Sequence, residues 1–90
     1  MPLEDDLAQF LSTLPLPDDS RSVLLERFRE SLGLVHAGEQ GIALENLCDN
    51  LYEFDVRLST DARERLLALC RQSGVEHSRV RFLDDLAANS

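Results

Sequence analysis

The chain has 90 residues, of which 43% are hydrophobic and 29% charged, and its formal net charge is −8 at pH 7. This length and composition predict a single folded domain over residues 1–90, and they exclude a disordered chain or a membrane-spanning helix. The acidic balance also argues against binding to nucleic acid or to an anionic membrane, because both carry negative charge.

The acids are concentrated in two segments. Residues 1–19 hold five acids and residues 37–56 hold another five, and neither segment contains a basic residue. All nine basic residues are arginines, and they lie elsewhere in the chain. Such an acidic surface steers a basic partner inward, although acids of this kind also simply keep a small domain soluble.

The leucine-rich composition, poor in valine and isoleucine, favours helices over strands. Apolar residues at helical spacing predict a first helix over about residues 3–14, followed by the helix-ending sequence PLP. A second helix is predicted from after Pro17 to about His36, with DDS as its N-cap region. The apolar positions that define these two helices are Leu3, Leu7, Phe10, Leu11 and Leu14, then Val23, Leu24, Leu25, Phe28, Leu32 and Val35.

A third helix is predicted over about residues 40–54, after a sharp turn at AGEQG, where Gly38 and Gly41 can both take backbone angles that other residues avoid. Its apolar side consists of Leu44, Leu47, Leu51 and Phe54, with Cys48 at the edge. Glu45, Asp49 and Glu53, each four residues apart, form an acid row on the other side. Like charges at this spacing repel by a few tenths of a kcal/mol per pair, roughly, so helix stability does not explain the row.

The remaining chain predicts two further helices. Ser59 is the expected N-cap of helix 4, and Gly74 is its expected C-terminal glycine. Ala62, Leu66, Leu67, Leu69 and Cys70 are expected to form its buried side. A short fifth helix over about 77–87 turns Val80, Leu83 and Leu86 inward, ahead of a frayed AANS tail. The predicted fold class is therefore all-α, a compact bundle of about five short helices.

No catalytic, cofactor, metal or small-molecule site is predicted. Phosphate-binding loops, zinc motifs and calcium loops all lack their minimum residues here, so we expect a non-enzymatic protein. Cys48 and Cys70 are predicted to be reduced core thiols, and His36 and His77 to be surface residues at helix ends. The start MPLEDDLAQF lacks the positive charge and the apolar run of a secretion signal, which predicts a cytoplasmic protein.

Residues 38–55 read GEQGIALENLCDNLYEFD. This segment resembles the pattern of the MafI-type immunity proteins, small bacterial proteins encoded beside polymorphic or contact-dependent toxins. The pattern is roughly GE-x-G-x-A-L-E-x-L-C-x-x-L-Y-E-x-D/N, followed by an apolar residue, Ser or Thr, and an acidic helix. The resemblance covers about residues 23–74. Helix 4 of this chain is more basic than the pattern, with Arg57, Arg63, Arg65 and Arg71, so no binding residue is carried over from it.

The resemblance implies a cytoplasmic inhibitor that binds one cognate toxin C-terminal domain and blocks its active site or an adjacent surface. Toxins of this kind are often nucleases such as RNases, and a nuclease needs a basic groove to hold phosphates. The expected groove ligands are Glu45, Asp49 and Glu53, with Tyr52 as an apolar anchor and with Glu39 and Asp55 at the rim. Two alternatives stay open: Glu39 braces the start of helix 3, and Tyr52 belongs to the rim of the core.

Two other classes of function fit parts of the sequence. A helical adaptor or assembly domain would meet its partner through an apolar patch instead of a carboxylate row. An acyl carrier protein would carry its attachment serine in Asp-Ser-Leu at the start of the second helix. Here Asp19 and Ser20 are followed by Arg21, and Ser20 comes early in the chain, which makes the carrier the weaker alternative.

Overall fold

A computed structural model describes residues 3–86 of the chain. They form four α-helices at Leu3–Ser12 (α1), Arg21–His36 (α2), Gln40–Glu53 (α3) and Thr60–Gln72 (α4), followed by two 3₁₀ helices at His77–Arg79 and Arg81–Leu86. We call residues 77–86 the C-terminal 3₁₀ segment. No β-strand occurs in the described range, which confirms the all-α prediction.

One apolar core is shared by all of these elements. Helix α3 packs most extensively against α2 and also contacts α4 and the C-terminal 3₁₀ segment, while α1 lies against α2 and α4. Leu44, Leu47 and Leu51 are completely buried, as the helical period of α3 predicts. The buried side of α3 is therefore the centre of the bundle.

Three of the four α-helices end with the same backbone turn. The residue after each helix C-cap has a positive φ: Gly38 at 87°, Asp55 at 53° and Gly74 at 80°. In each case the next N–H donates to a carbonyl five residues earlier, in the pairs Glu39 to Leu34 (2.8 Å), Val56 to Leu51 (3.0 Å) and Val75 to Cys70 (2.9 Å). This is the Schellman arrangement, so the sharp turn expected at Gly38 and the helix end expected at Gly74 are confirmed. Asp55 occupies the corresponding position after α3.

Helix boundaries agree with the sequence to within a few residues. Helix α1 ends at Ser12 and not at residue 14, because the N–H groups of Thr13 and Leu14 bond to carbonyls only three residues back, at 3.1 and 3.3 Å. Pro15, which lacks an N–H group, follows this tight turn. The prediction of Ser59 as the N-cap of α4 is confirmed, since its hydroxyl accepts a hydrogen bond from the Ala62 N–H at 3.1 Å.

One prediction about the packing was wrong. Val23 and Leu25, expected on the apolar side of α2, are exposed because the buried face of that helix is a narrow line through Leu24, Phe28 and Val35. The predicted fifth helix consists of two 3₁₀ helices, and its Val80, Leu83 and Leu86 are buried as expected. The expected frayed tail, residues 87–90, lies outside the described residues.

The link between α3 and α4 belongs to the core and holds the C-terminal 3₁₀ segment. Val56 and Leu58 are buried, and the Leu58 N–H donates to the Leu86 carbonyl at 2.8 Å. Two arginines add polar contacts to the same segment, from Arg57 Nη1 to the Asp85 carbonyl (3.0 Å) and from Arg63 Nη1 to Asp84 Oδ1 (3.1 Å). Arg63, one of the arginines of α4, is thus paired with an acid of this chain.

The position of α3 can be tested by deleting one of its buried side chains. Leu47→Ala should lower the free energy of unfolding by about 2–5 kcal/mol, because it leaves a cavity where the side chain is fully buried. The matched deletion Leu25→Ala removes the same atoms at an exposed site and should change it by only about 0.5 kcal/mol. Urea denaturation of both variants measures the difference, and equal losses would contradict the central position of α3.

Candidate partner-binding surface on helix α3

The side of α3 that faces away from the core carries acids and exposed apolar groups together. Ile42, Asp49 and Glu53 are spaced by seven and four residues, so they lie along one line of the helix. Ile42 is 55% exposed, both acids are exposed, and Tyr52 beside them is 48% exposed. We call Ile42, Asp49, Tyr52 and Glu53 the α3 face.

Glu45 differs from the other acids of the predicted row. Its Oε1 accepts a hydrogen bond from Arg79 Nη1 at 3.0 Å, and its side chain is half-buried. Arg79 comes from the C-terminal 3₁₀ segment, so Glu45 already has a basic partner within this chain. Within residues 3–86, Asp49 and Glu53 form no ion pair. The row of three predicted groove ligands is therefore one paired acid and two unpaired ones.

Tyr52 is held in place on one side and open on the other. Its ring meets Phe82 edge to face, with centroids 5.0 Å apart and an angle of 61° between the ring planes. Phe82 lies in the C-terminal 3₁₀ segment and is partly buried. This contact restrains the tyrosine ring while about half of the residue stays exposed, so the rim of the core and an anchor for a partner are compatible roles.

Asp55 and Glu39, the two predicted rim residues, lie at opposite ends of α3. The Asp55 carboxylate pairs with Arg57 at 3.2 Å, and its positive φ closes the helix, which gives this residue a structural role. Glu39 precedes the helix and is exposed, but its side chain makes no capping hydrogen bond. The bracing contact considered for Glu39 is therefore not formed.

Asp49 and Glu53 both occupy positions where a negatively charged side chain is unfavourable for the folded state. Partial burial raises the pKa of Asp49 above its usual range, and the nearby charge of Glu45 raises it further. Glu53 is the last residue of α3, where the partial negative charge of the helix end disfavours a carboxylate. A cation at the α3 face would offset the negative charge of Glu45 and of the helix end that acts on these two acids.

Ile42 was not among the predicted partner-binding residues. The helical spacing could have predicted its exposure, because Ile42 lies seven residues before Asp49, on the side of the helix opposite the leucines. The roles of Arg79 and Phe82 had no such signal, since their partners on α3 are about thirty residues away along the chain. His36 and His77 are exposed and Cys48 and Cys70 are buried free thiols, as predicted.

No group of three or more His, Cys, Asp or Glu residues within positions 3–86 is arranged to hold a metal ion. In the same range, no helix combines the length and the apolar character needed to cross a membrane. No protein-family model, curated protein or solved structure matches the chain. The resemblance of residues 38–55 to the immunity-protein pattern therefore stays a prediction.

The electrostatic strain at Asp49 predicts a stabilising variant. Asp49→Asn should raise the free energy of unfolding at pH 7 by about 0.2–0.5 kcal/mol, because it removes a carboxylate that partial burial and, to a lesser extent, the charge of Glu45 disfavour. Because its pKa is raised by folding, Asp49 favours the folded state most when it is protonated, below the unfolded pKa of 3.8. This contribution to the free energy of unfolding is lost as the pH rises through the folded pKa.

The gain in Asp49→Asn should therefore vanish below the unfolded pKa, at about pH 3. Urea titrations at both pH values measure it. Glu45→Gln is the matched control, because it removes a carboxylate one turn away that is paired with Arg79, and it should not stabilise the protein. A loss of stability in Asp49→Asn at pH 7 would contradict this account.

The positive φ of Asp55 predicts a difference in stability between two substitutions at this position. Asp55→Gly should be more stable than Asp55→Ala by about 1 kcal/mol, because an alanine Cβ is strained at positive φ and glycine is not. Both variants lose the carboxylate and its pair with Arg57, so thermal or urea unfolding isolates the backbone contribution. Equal stability would show that Asp55 does not close α3 in this conformation.

Proposed function

We propose that this protein is a cytoplasmic immunity protein that binds one cognate toxin domain and neutralises it through the α3 face. The observation that carries the proposal is the combination on one helix of two unpaired acids with an exposed isoleucine and a half-exposed tyrosine. Helix α3 contains no basic residue. The resemblance to immunity proteins is centred on the same stretch, residues 38–55.

The composition of the α3 face suits a protein partner. Interfaces join a desolvated apolar centre, often with a tyrosine, to polar groups that match charges on the partner. Ile42 and Tyr52 supply apolar area, and Asp49 and Glu53 supply acceptors for arginine or lysine. The charges accelerate association, while the desolvated centre keeps dissociation slow.

A basic nuclease is the partner class that this surface fits best. A nuclease holds phosphates in a positively charged groove, and carboxylates four residues apart on a helix can occupy such a groove in place of phosphates. Because Arg79 covers Glu45 on one edge, the contact is expected to centre on Asp49 and Glu53. An inhibitor bound in this way would compete with nucleic acid for the groove.

A second function is favoured by a different surface. An apolar groove of about 260 Å³ between α1 and α2 is lined by Ala8, Leu11, Leu25, Phe28 and Leu32, among others. An adaptor or assembly domain would seat a partner there, and Leu25 within the groove is half-exposed. In that case, Leu25→Glu would abolish binding and changes to the α3 face would leave it intact.

The proposal is tested with the C-terminal domain of the toxin encoded beside this chain, expressed with and without the protein. The double reversal Asp49→Arg and Glu53→Arg should weaken binding by at least about 100-fold and abolish protection from growth arrest, because two charge pairs become repulsive. Binding is measured by calorimetry, and circular dichroism verifies the helical content.

The matched control is Glu26→Arg with Glu30→Arg on α2. These acids are exposed and four residues apart, so the pair repeats the spacing and the net charge change away from the α3 face. The control should keep protection. Full protection by the Asp49 and Glu53 variant, or equal loss in both variants, would remove the α3 face from the mechanism.

Salt dependence distinguishes the two candidate functions. Raising the ionic strength from about 0.05 to 0.5 M should lower the association rate with the toxin domain at least about tenfold, since salt screens charge steering. The dissociation rate should change much less. Docking in the apolar groove between α1 and α2 would leave the association rate nearly constant, so a flat salt profile in stopped-flow measurements would favour the adaptor.

A further inference from the structure

Two thiols from different helices meet in the core. Cys48 lies on α3 and Cys70 on α4, and their Sγ atoms are 3.8 Å apart although the residues are 22 positions apart in sequence. Both cysteines are free and buried, at 0% and 1% exposure. A disulfide bond has an S–S distance of about 2.05 Å, so the two sulfur atoms touch without being bonded.

A small cavity leads to one of these two thiols. It has a volume of about 150 Å³ and is lined by Leu67, Cys70, Arg71, Val75, His77 and Val80. Since a water molecule takes up about 30 Å³ in the liquid, the cavity has room for a molecule the size of hydrogen peroxide. Cys48 is not part of its lining. A reagent that enters therefore meets Cys70 first.

We propose that Cys48 and Cys70 are a redox-active dithiol, which a peroxide converts into an intramolecular disulfide that joins α3 to α4. The bond requires the sulfur atoms to approach by roughly 1.8 Å, which side-chain rotation with a small shift of the helices can supply. The cavity beside Cys70 provides space for that movement. This inference is independent of the proposed function, because it does not involve the α3 face.

The reaction assigns different roles to the two cysteines. The Cys70 thiolate attacks one peroxide oxygen, the O–O bond breaks, and the departing hydroxide takes up a proton to leave as water, so that Cys70 becomes a sulfenic acid. Cys48 then loses its proton, and its sulfur attacks the Cys70 sulfur. The S–O bond breaks, and the second hydroxide takes the Cys48 proton to form water. Two thiols are oxidised by two electrons, and one peroxide is reduced to two water molecules.

The electrostatics of the pair agree with these roles. The hydrogen bond between the thiols lowers the pKa of Cys70, and this effect exceeds the opposing effect of burial. The same hydrogen bond raises the pKa of Cys48, and burial raises it further. Cys70 is also the thiol that lines the cavity, so it is the one that peroxide reaches and that attacks it as a thiolate, and Cys48 resolves the sulfenic acid.

The test treats the reduced, folded protein with hydrogen peroxide and then alkylates the remaining thiols with iodoacetamide in denaturant. The expected product is a monomer that is lighter by about 2 Da, takes up no alkyl group and is restored by dithiothreitol. Persistence of both free thiols, under conditions that oxidise the same chain in urea, would overturn the proposal. A disulfide-linked dimer as the main product would overturn it as well.

Two single variants separate the roles. In Cys48→Ser, peroxide should leave a sulfenic acid on Cys70 that dimedone traps, because the resolving thiol is missing. In Cys70→Ser, the reaction of the remaining Cys48 should be at least about tenfold slower, because that thiol is fully buried and does not line the cavity. Equal rates in the two folded variants would overturn the assigned order of attack. Circular dichroism verifies folding, and the result with the unsubstituted protein decides the dithiol proposal if either variant is unfolded.

Discussion

The structure depends on the burial of one side of α3. Leu44, Leu47 and Leu51 are completely buried, and α3 contacts α2, α4 and the C-terminal 3₁₀ segment. The elements packed against this side of α3 add fully buried side chains of their own, such as Leu24, Leu66 and Leu83. Once that side of the helix is committed to the interior, the opposite line of residues must face solvent. The exposure of Ile42 and the two unpaired acids is thus a consequence of the same packing that holds the bundle together.

The distribution of arginines decides where the negative charge stays available. Arg57, Arg63 and Arg79 each pair with an acid of this chain, and all three contacts involve the C-terminal 3₁₀ segment or the end of α3. This segment also places Phe82 against Tyr52. The segment therefore pairs one acid at the edge of the acidic surface, Glu45, and restrains the Tyr52 ring at the same edge. A net charge of −8 alone would not reveal such a division.

The two candidate binding surfaces differ in their physics. The α3 face keeps carboxylates at positions that oppose helix stability, and local rules are most often broken in this way at functional sites. The groove between α1 and α2 is apolar and breaks no such rule. This contrast supports the α3 face as the principal site. The thiol pair lies on the inner side of the same helix, so α3 joins a solvent-facing surface to a buried chemical group.

Local patterns along the chain were sufficient to predict four helices, the buried leucines of α3, the cap at Ser59 and the turns at Gly38 and Gly74, because periodicity and capping involve residues only a few positions apart. Contacts between distant residues followed no local pattern. The pairing of Glu45 with Arg79, the burial of Val56 and Leu58 and the meeting of Cys48 with Cys70 depend on how the helices pack. The left-handed backbone at Asp55 was also not predictable from the sequence, because aspartate adopts this conformation far less often than glycine does. The sequence therefore determines which face of each helix is apolar, whereas the tertiary packing determines which residues that face contacts.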